Sequence, residues 1–401
     1  MKSNKLEMEY GFEDGCPLSE SQLNVYLDES VNDMGTSYNI PFKIKFSKSY
    51  SAVEIKEAIY KLAEIYPVLA ARIVVVEDNI SFRFDGELQI SVGSLDDVDS
   101  FVQPFELDKC LSRFLIIEEE SILCIDCHHL ILDGASKIML LNKLSDILEE
   151  TAICSVDYGV LRQLTFEENL SSEDLNQSKE FFDIMLSDMD EVYDLMPSIA
   201  KDKCDGEHYC DFYLDSSYLK SFLEDHSITY TQFFTSVFAY TLSRFTGSSK
   251  VFFNLIVNGR SHVDLTDSVG MFVRTLPLLF NCENQKTDSF LTDSSALIKS
   301  AIKCDFYPYS QLANEYGFSS DILFQYAYNL IYNTKESKNI VSVEDLEHDE
   351  VGDLSFYVYN HENYFKIRVT YSDKYSKDLI EHFVESYKSI AHEIINKKIT
   401  K

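Results

Sequence analysis

Ser121-Ile-Leu-Cys-Ile-Asp-Cys-His-His-Leu-Ile-Leu-Asp-Gly-Ala-Ser136 decides how the whole chain is read. Its first half, Ile122 to Cys127, is short, apolar and rich in strand formers, the composition of a buried strand. Two adjacent histidines, His128 and His129, close the run, and Asp133-Gly134 marks a turn. Beyond it Ile138, Leu141, Leu144 and Leu148 recur at three- and four-residue intervals, which predicts an amphipathic helix. The stretch therefore reads as strand, turn, helix, with Asp133 at the helix start as its N-cap. Strand alternation sends His128 and His129 to opposite faces, so one can look into a cleft while the other is held by the protein. The residues alone do not say which is which.

The same stretch contains Cys124-Ile-Asp-Cys127-His128, the spacing of covalent haem attachment, and a Cys-x-x-Cys beside histidines also raises zinc. Residues three apart on a strand point to opposite faces, so these thiols do not converge on one metal and read as small buried core residues. No metal is expected. Nine cysteines without regular spacing predict reduced thiols rather than a disulfide framework.

Working outward toward the N-terminus, Phe42, Ile44 and Phe46 alternate with Lys43 and Lys45, a half-buried strand. Ser51 and Glu54 form a capping box before a helix with the stripe Ile55, Ile59 and Leu62. Arg72 to Val76 and Ile80 to Phe84 read as a hairpin, and Pro17 to Tyr26 as a short amphipathic helix. Toward the C-terminus, residues 166–193 are expected to be helical and acidic, and Met196 to His208 is the best linker candidate. A helix capped by Thr231 and stopped by Gly247 comes next, then strands over Val251–Val257, Asp321–Asn329, Ser355–Asn360 and Tyr364–Tyr371. Leu379, Phe383, Tyr387 and Ile390 mark a C-terminal helix. Strands alternating with helices over 401 residues predict a mixed α/β protein of two lobes, divided here as 1–165 and 166–401.

His128-His129-Leu-Ile-Leu-Asp133-Gly134 resembles the HHxxxDG motif of condensation domains from nonribosomal peptide synthetases. Further motifs of that family follow in the right order. Ser19-x-x-Gln22 resembles the first, Asp157-Tyr158 echoes the fourth, and Gly270-Met-Phe-Val-Arg-Thr275 closely resembles the fifth, G-x-F-V-N-T, with Arg274 where asparagine is usual. Tyr307-Pro308-Tyr309 keeps part of H-Q-D-Y-P-F. The family's arginine-bearing second motif is departed from: Ile65 and Ala70 stand at the matching positions and only Arg72 lies nearby. No arginine partner for Asp133 is therefore expected from that corner. The epimerase branch usually places a tryptophan soon after Asp-Gly, and this chain has none; the cyclising branch replaces the histidines by aspartates.

The resemblance implies an α/β (α+β) fold of two chloramphenicol acetyltransferase-like lobes in a V-shape, with an active-site tunnel between them. It implies amide-bond formation, in which a carrier-bound aminoacyl amine attacks a carrier-bound acyl or peptidyl thioester. It selects His129 as catalytic, with His128, Asp133 and Gly134 as motif support, and leaves Ser136, Arg260, Gly270 and Arg274 as weaker substrate-side candidates. No bound cofactor is implied, because the substrates arrive as 4'-phosphopantetheine thioesters on donor and acceptor peptidyl carrier proteins. The adenylation domain of the same synthetase is a further implied partner. Two alternatives stand beside this reading: an acyltransferase taking acyl-coenzyme A, and a degenerate domain that only docks carriers.

A net charge of −32, from 67 acidic against 35 basic residues, opposes nucleic-acid binding. No apolar run approaches the ~20 residues of a membrane span, and Met1 to Gly15 lacks a signal-peptide profile, so a cytoplasmic protein is expected.

Overall fold

The computed structural model describes residues 11–396 apart from 33, 78, 153–154, 190–207, 216–218, 284–286, 319–321, 328–332, 335–336, 350–351 and 362. Almost all of the linker candidate Met196–His208 thus lies outside the described residues. The chain opens with β1 (Cys16–Pro17), α1 (Glu20–Val31), β2 (Asn39–Phe46) and α2 (Ala52–Ile65). It continues through β3 (Arg72–Val76), β4 (Asn79–Arg83), β5 (Gln89–Val92), β6 (Ser112–Ile117), β7 (Ile122–His128), α3 (Gly134–Leu148) and α4 (Gly159–Glu168). Next come α5 (Ser172–Met185), β8 (His208–Asp215), α6 (Leu219–His226), α7 (Tyr230–Thr246), β9 (Lys250–Val257) and β10 (Arg274–Asn281). The remainder is α8 (Thr287–Lys303), α9 (Tyr309–Tyr316), β11 (Ile322–Ala327), β12 (Ile340–Asp345), β13 (Leu354–Asn360), β14 (Tyr364–Tyr371) and α10 (Lys377–Asn396).

These elements form two compact units, one of residues 1–170, 258–273 and 330–350, the other of 171–257, 274–329 and 351–401. A contiguous division at 165/166 differs from this in two inserted segments. Residues 258–273 carry Arg260, whose guanidinium is tied to Asp133. Strand β12 pairs antiparallel with β2, Asp345 opposite Phe42. Each segment follows its hydrogen bonds rather than its place in the chain.

The first unit holds a five-stranded sheet in the order β12-β2-β7-β6-β5 and a small sheet β1-β4-β3. Strand β7 is central and every one of its residues is buried, its apolar run from Ile122 to Ile125 together with Asp126, Cys127 and His128. Phe42, Ile44 and Phe46 of β2 are buried while Lys43 and Lys45 are not, the expected alternation. Helix α2 begins at the Ser51–Glu54 capping box and buries Ile55, Ile59 and Leu62. Helix α3 buries Leu140, Leu141, Leu144 and Ile147, so its stripe is centred on those residues; Ile138 and Leu148 are only partly buried. Cys127 joins the main core with Ile125 and Leu141, whereas Cys124 joins a small cluster with Leu115 and Ile117. The two thiols thus lie on opposite faces of β7.

The second unit holds a six-stranded sheet, β10-β9-β11-β13-β14-β8, with β11 parallel to both β9 and β13. Its core is aromatic: Phe238 of α7 meets Phe253, Phe324, Phe356 and Phe383. Helix α7 is capped by Thr229, not Thr231, because Thr229 and Gln232 close a reciprocal box. Gly247 ends it with φ +74, a left-handed conformation that glycine adopts at little cost. The helical run expected over 166–193 is interrupted at Asn169-Leu170, where α4 has ended and Ser171 caps α5. Among the described residues no helix is long and apolar enough to cross a membrane.

Candidate active site

The histidine turn is built on the end of β7, where His128 pairs with Asn39 of β2. His128 is 1% exposed. Its Nδ1 accepts the backbone N–H of Leu130 at 3.1 Å, so the ring proton resides on Nε2 and is donated to Glu29 at 2.8 Å. Phe105 and Tyr38 flank the ring. His128 is held on every polar atom, which is the arrangement of a supporting residue.

His129 is presented differently. Its backbone N–H donates to Tyr38 O at 2.7 Å. The residue is only half-buried, yet its Nδ1 is sealed from solvent and, among the described residues, has no partner in hydrogen-bonding geometry. Desolvation pushes its pKa below the ordinary histidine value, against opposing contributions from the backbone and from Asp133. Burial therefore favours a neutral imidazole, the form able to accept a proton.

Asp133 lies four residues beyond His129 and is fully buried. As the N-cap of α3 its Oδ1 accepts Ser136 N–H at 2.8 Å. Arg260 grips both carboxylate oxygens, at 2.9 and 3.0 Å, and the N–H of Phe272 adds a contact at 2.9 Å. Burial alone would push this carboxyl up; the Arg260 charge, its hydrogen bonds and the two backbone N–H groups outweigh that and hold it below the usual carboxylate range. Arg260 also donates to Ser136 Oγ at 2.8 Å and packs over the Phe272 ring at 4.7 Å. The Ser136 hydroxyl donates to Gly270 O at 2.7 Å and accepts Gly270 N–H at 3.0 Å. A Cβ on Gly270 would come within 2.8 Å of Phe272, so glycine is needed there for close packing. Gly134 is the first residue of α3.

The structure thus brings Ser136, Arg260 and Gly270 together with Asp133 as one buried network, whose contacts are internal to the protein. Arg260 supplies the arginine that the 65–72 corner lacks; Arg72 is instead paired with Asp85 at the surface. Arg274 is buried at the start of β10 and belongs to the second unit. Asp157 works in parallel with Asp133, accepting Val269 N–H at 3.0 Å and the Ser268 hydroxyl at 2.9 Å. Cys124 and Cys127 take no part: burial pushes the Cys124 thiol up to about 11 and the Cys127 thiol well above its ordinary value, so both are protonated thiols.

Sequence reasoning missed Glu29 and Tyr38, and saw Gln22 only as part of a motif. Gln22 Nε2 donates to Leu130 O at 2.8 Å, tying the first motif to the histidine turn. A cleft of ≈ 670 Å³ lies elsewhere in this unit, lined by Arg72, Phe105, Lys109 and Arg113 among others and not by His129. Its three cations are each matched by an acid, Asp85, Glu106 and Asp126.

Comparison with known proteins bears on this arrangement. The family model for the Condensation domain matches residues 12–398. Gramicidin S synthase 2 of Brevibacillus brevis is 24% identical over 419 aligned residues, covering 94% of this chain and 9% of that protein, so the chain spans about a tenth of that relative's length. The first condensation domain of the calcium-dependent antibiotic synthetase, in complex with a substrate analogue, superposes with a TM-score of 0.73 at 15% identity, covering 95% of this chain and 97% of that one. An arginine-to-alanine mutant of the starter condensation domain of rhizomide synthetase, in complex with C8-CoA, gives a TM-score of 0.74 at 15% identity, with 94% and 95% covered. These solved structures share the α/β fold, and the match over nearly the full length shows that the chain belongs to the condensation-domain family of nonribosomal peptide synthetases.

Proposed function

We propose that this domain forms an amide bond between an acyl or peptidyl thioester on a donor carrier protein and the amine of an aminoacyl thioester on an acceptor carrier. The observation that carries the reading is His129: an imidazole whose pKa burial lowers, in a turn where the Leu130 N–H and C=O, the His128 ring and the Asp133 carboxylate are engaged. In the reaction the amine nitrogen bonds to the thioester carbon, the C–S bond breaks, and one proton passes from nitrogen to the departing thiolate. His129 is suited to accept that proton or to orient the amine. General-base assistance supplies roughly 10²–10⁴-fold, whereas alignment of two reactants supplies up to about 7–11 kcal/mol, so positioning of the tethered substrates is the larger contribution.

The substrates are read as 4'-phosphopantetheine thioesters, the partners as donor and acceptor carriers and an adenylation domain, and the setting as the cytoplasm. Family membership and the synthetase relatives support this. The test is mass spectrometry of two carriers loaded with acyl- and aminoacyl-phosphopantetheine, using wild type and His129→Ala. A dipeptidyl species on the acceptor carrier, lost in the variant, is the expected result. Product formed equally by a folded variant would remove His129 from the chemistry. Absence of product with several loaded pairs, but transfer from acyl-coenzyme A, would replace the reading with the coenzyme A-dependent one; the C8-CoA complex of the rhizomide domain makes that arm worth including. Carrier binding without either reaction would leave a docking domain.

A further inference from the structure

Helix α1 reaches the histidine turn at three points. At its start Gln22 Nε2 donates to Leu130 O at 2.8 Å. Near its end Glu29 Oε2 accepts the His128 Nε2 proton at 2.8 Å, and the His128 ring in turn accepts Leu130 N–H. Gln22 and Glu29 are two helical turns apart and therefore share one face. Between them they fix both peptide groups of Leu130, the residue directly after His129. The third point is Asp28, whose carboxylate accepts the Tyr38 hydroxyl at 2.5 Å, while Tyr38 O accepts the His129 N–H.

The position of these acids is itself informative. Asp28 and Glu29 fall in the last turn of α1, where the negative end of the helix dipole disfavours carboxylates and where no basic residue stands. A local rule broken in this way marks residues kept for what they contact. The Glu29–His128 pair is also largely withdrawn from water, with side-chain exposures of 16% and 1%.

We infer that Glu29 is a positioning residue for the reaction: by holding His128 in its Nε2–H tautomer it keeps Nδ1 free to accept Leu130 N–H, and so fixes the backbone that carries His129. This rests on the proposed function. Loss of Glu29 frees the His128 proton to move to Nδ1, where it opposes Leu130 N–H donor to donor, and the His129 backbone is released at its C-terminal side.

The experiment compares Glu29→Gln and Glu29→Ala in the loaded-carrier assay, with ¹⁵N-histidine NMR of the resting protein. Gln keeps an acceptor oxygen, so Glu29→Gln is expected to retain kcat within about threefold and the Nε2–H tautomer. Glu29→Ala is expected to lose about 10²-fold in kcat at unchanged KM, the cost of small misplacement at a reacting centre, and to lose that tautomer. Should Glu29→Ala not fold, Glu29→Asp, one methylene shorter, takes its place with the same tautomer readout. Wild-type kcat in Glu29→Ala, an equal loss in Glu29→Gln, or an unchanged His128 tautomer would each overturn the inference. Wild-type protein that forms no amide would overturn the proposed function instead, while the NMR comparison still decides whether Glu29 sets the tautomer.

Discussion

Asp133 and His129 stand four residues apart, and burial acts on them in opposite senses. The Asp133 pKa is lowered because Arg260 and two backbone N–H groups more than offset desolvation; the His129 pKa is lowered because desolvation outweighs the opposing contributions of the backbone and Asp133. Removing one partner of a fully buried ion pair leaves the other charge stranded, so Asp133→Ala and Arg260→Ala are each expected to cost about 3–5 kcal/mol. The double variant should cost less than the sum, because the shared interaction can be lost only once. Arg260→Lys should not rescue, since an ammonium cannot span both oxygens. Urea unfolding of the four proteins checks this, and strict additivity would refute it. The pH dependence follows from the same residues. A histidine whose pKa is lowered in the folded state binds its proton better when unfolded, so its penalty is absent above 6.5 and grows as pH falls below that value. Replacing His129 with Gln should therefore improve stability relative to wild type at pH 5.5 more than at pH 7.5. In the wild type, the histidine-dependent acid limb of kcat should fall below pH 6.5. At this scale the His-His and Asp-Gly word was legible because its residues are contiguous. The Arg260 partner was not, since 127 residues separate it from Asp133 and no periodicity links them.

The elements around the site explain how a distant segment is kept in register. Residues 268–272 are tied by two carboxylates, Asp157 through Ser268 and Val269 and Asp133 through Phe272. Gly159, at the start of α4, makes room for this contact: a Cβ there would sit 2.3 Å from Ser268 Oγ and 2.4 Å from its Cβ. Alanine is the better helix former, by up to about 1 kcal/mol. Overlap with a Cβ cannot be relieved by rotating a side chain, and overpacking costs about 1–3 kcal/mol. Gly159→Ala should therefore destabilise the protein despite its propensity gain, as a fall in the urea midpoint at unchanged m-value; a rise would show that the segment yields easily. Helices were readable in the sequence where caps and stripes agreed, as in α2. The cap of α7 was misplaced by two residues because Thr229 and Thr231 are both plausible caps, and only Thr229 has Gln232 at the reciprocal position. Glu29 escaped notice because its partner is brought to it by the fold, although two acids in a final helical turn were already a signal.

Across the whole molecule, length and the alternation of strands and helices led to an expectation of two contiguous lobes, whereas the two compact units are each assembled from separated segments that no local pattern announces. Strand β12 went unread in the sequence, and its pairing with β2, almost 300 residues earlier in the chain, is known only from the register. Charge operates at the same scale. Many surface acids are matched by a lysine or arginine, as in Lys43–Glu344 and Lys388–Glu385, yet 67 acids face only 35 bases. Exposed pairs contribute about 0–1 kcal/mol each and weaken with salt, whereas unbalanced charge opposes the compact state over longer distances. The Debye length falls from about 30 Å at 0.01 M to about 8 Å at 0.15 M, which removes repulsion between residues across each unit while leaving contacts at 3 Å largely intact. Thermal stability should therefore rise between 0.01 and 0.15 M sodium chloride, measured as Tm at fixed pH. A decline over that range would mean that surface ion pairs, not net repulsion among the −32 charges, govern the balance.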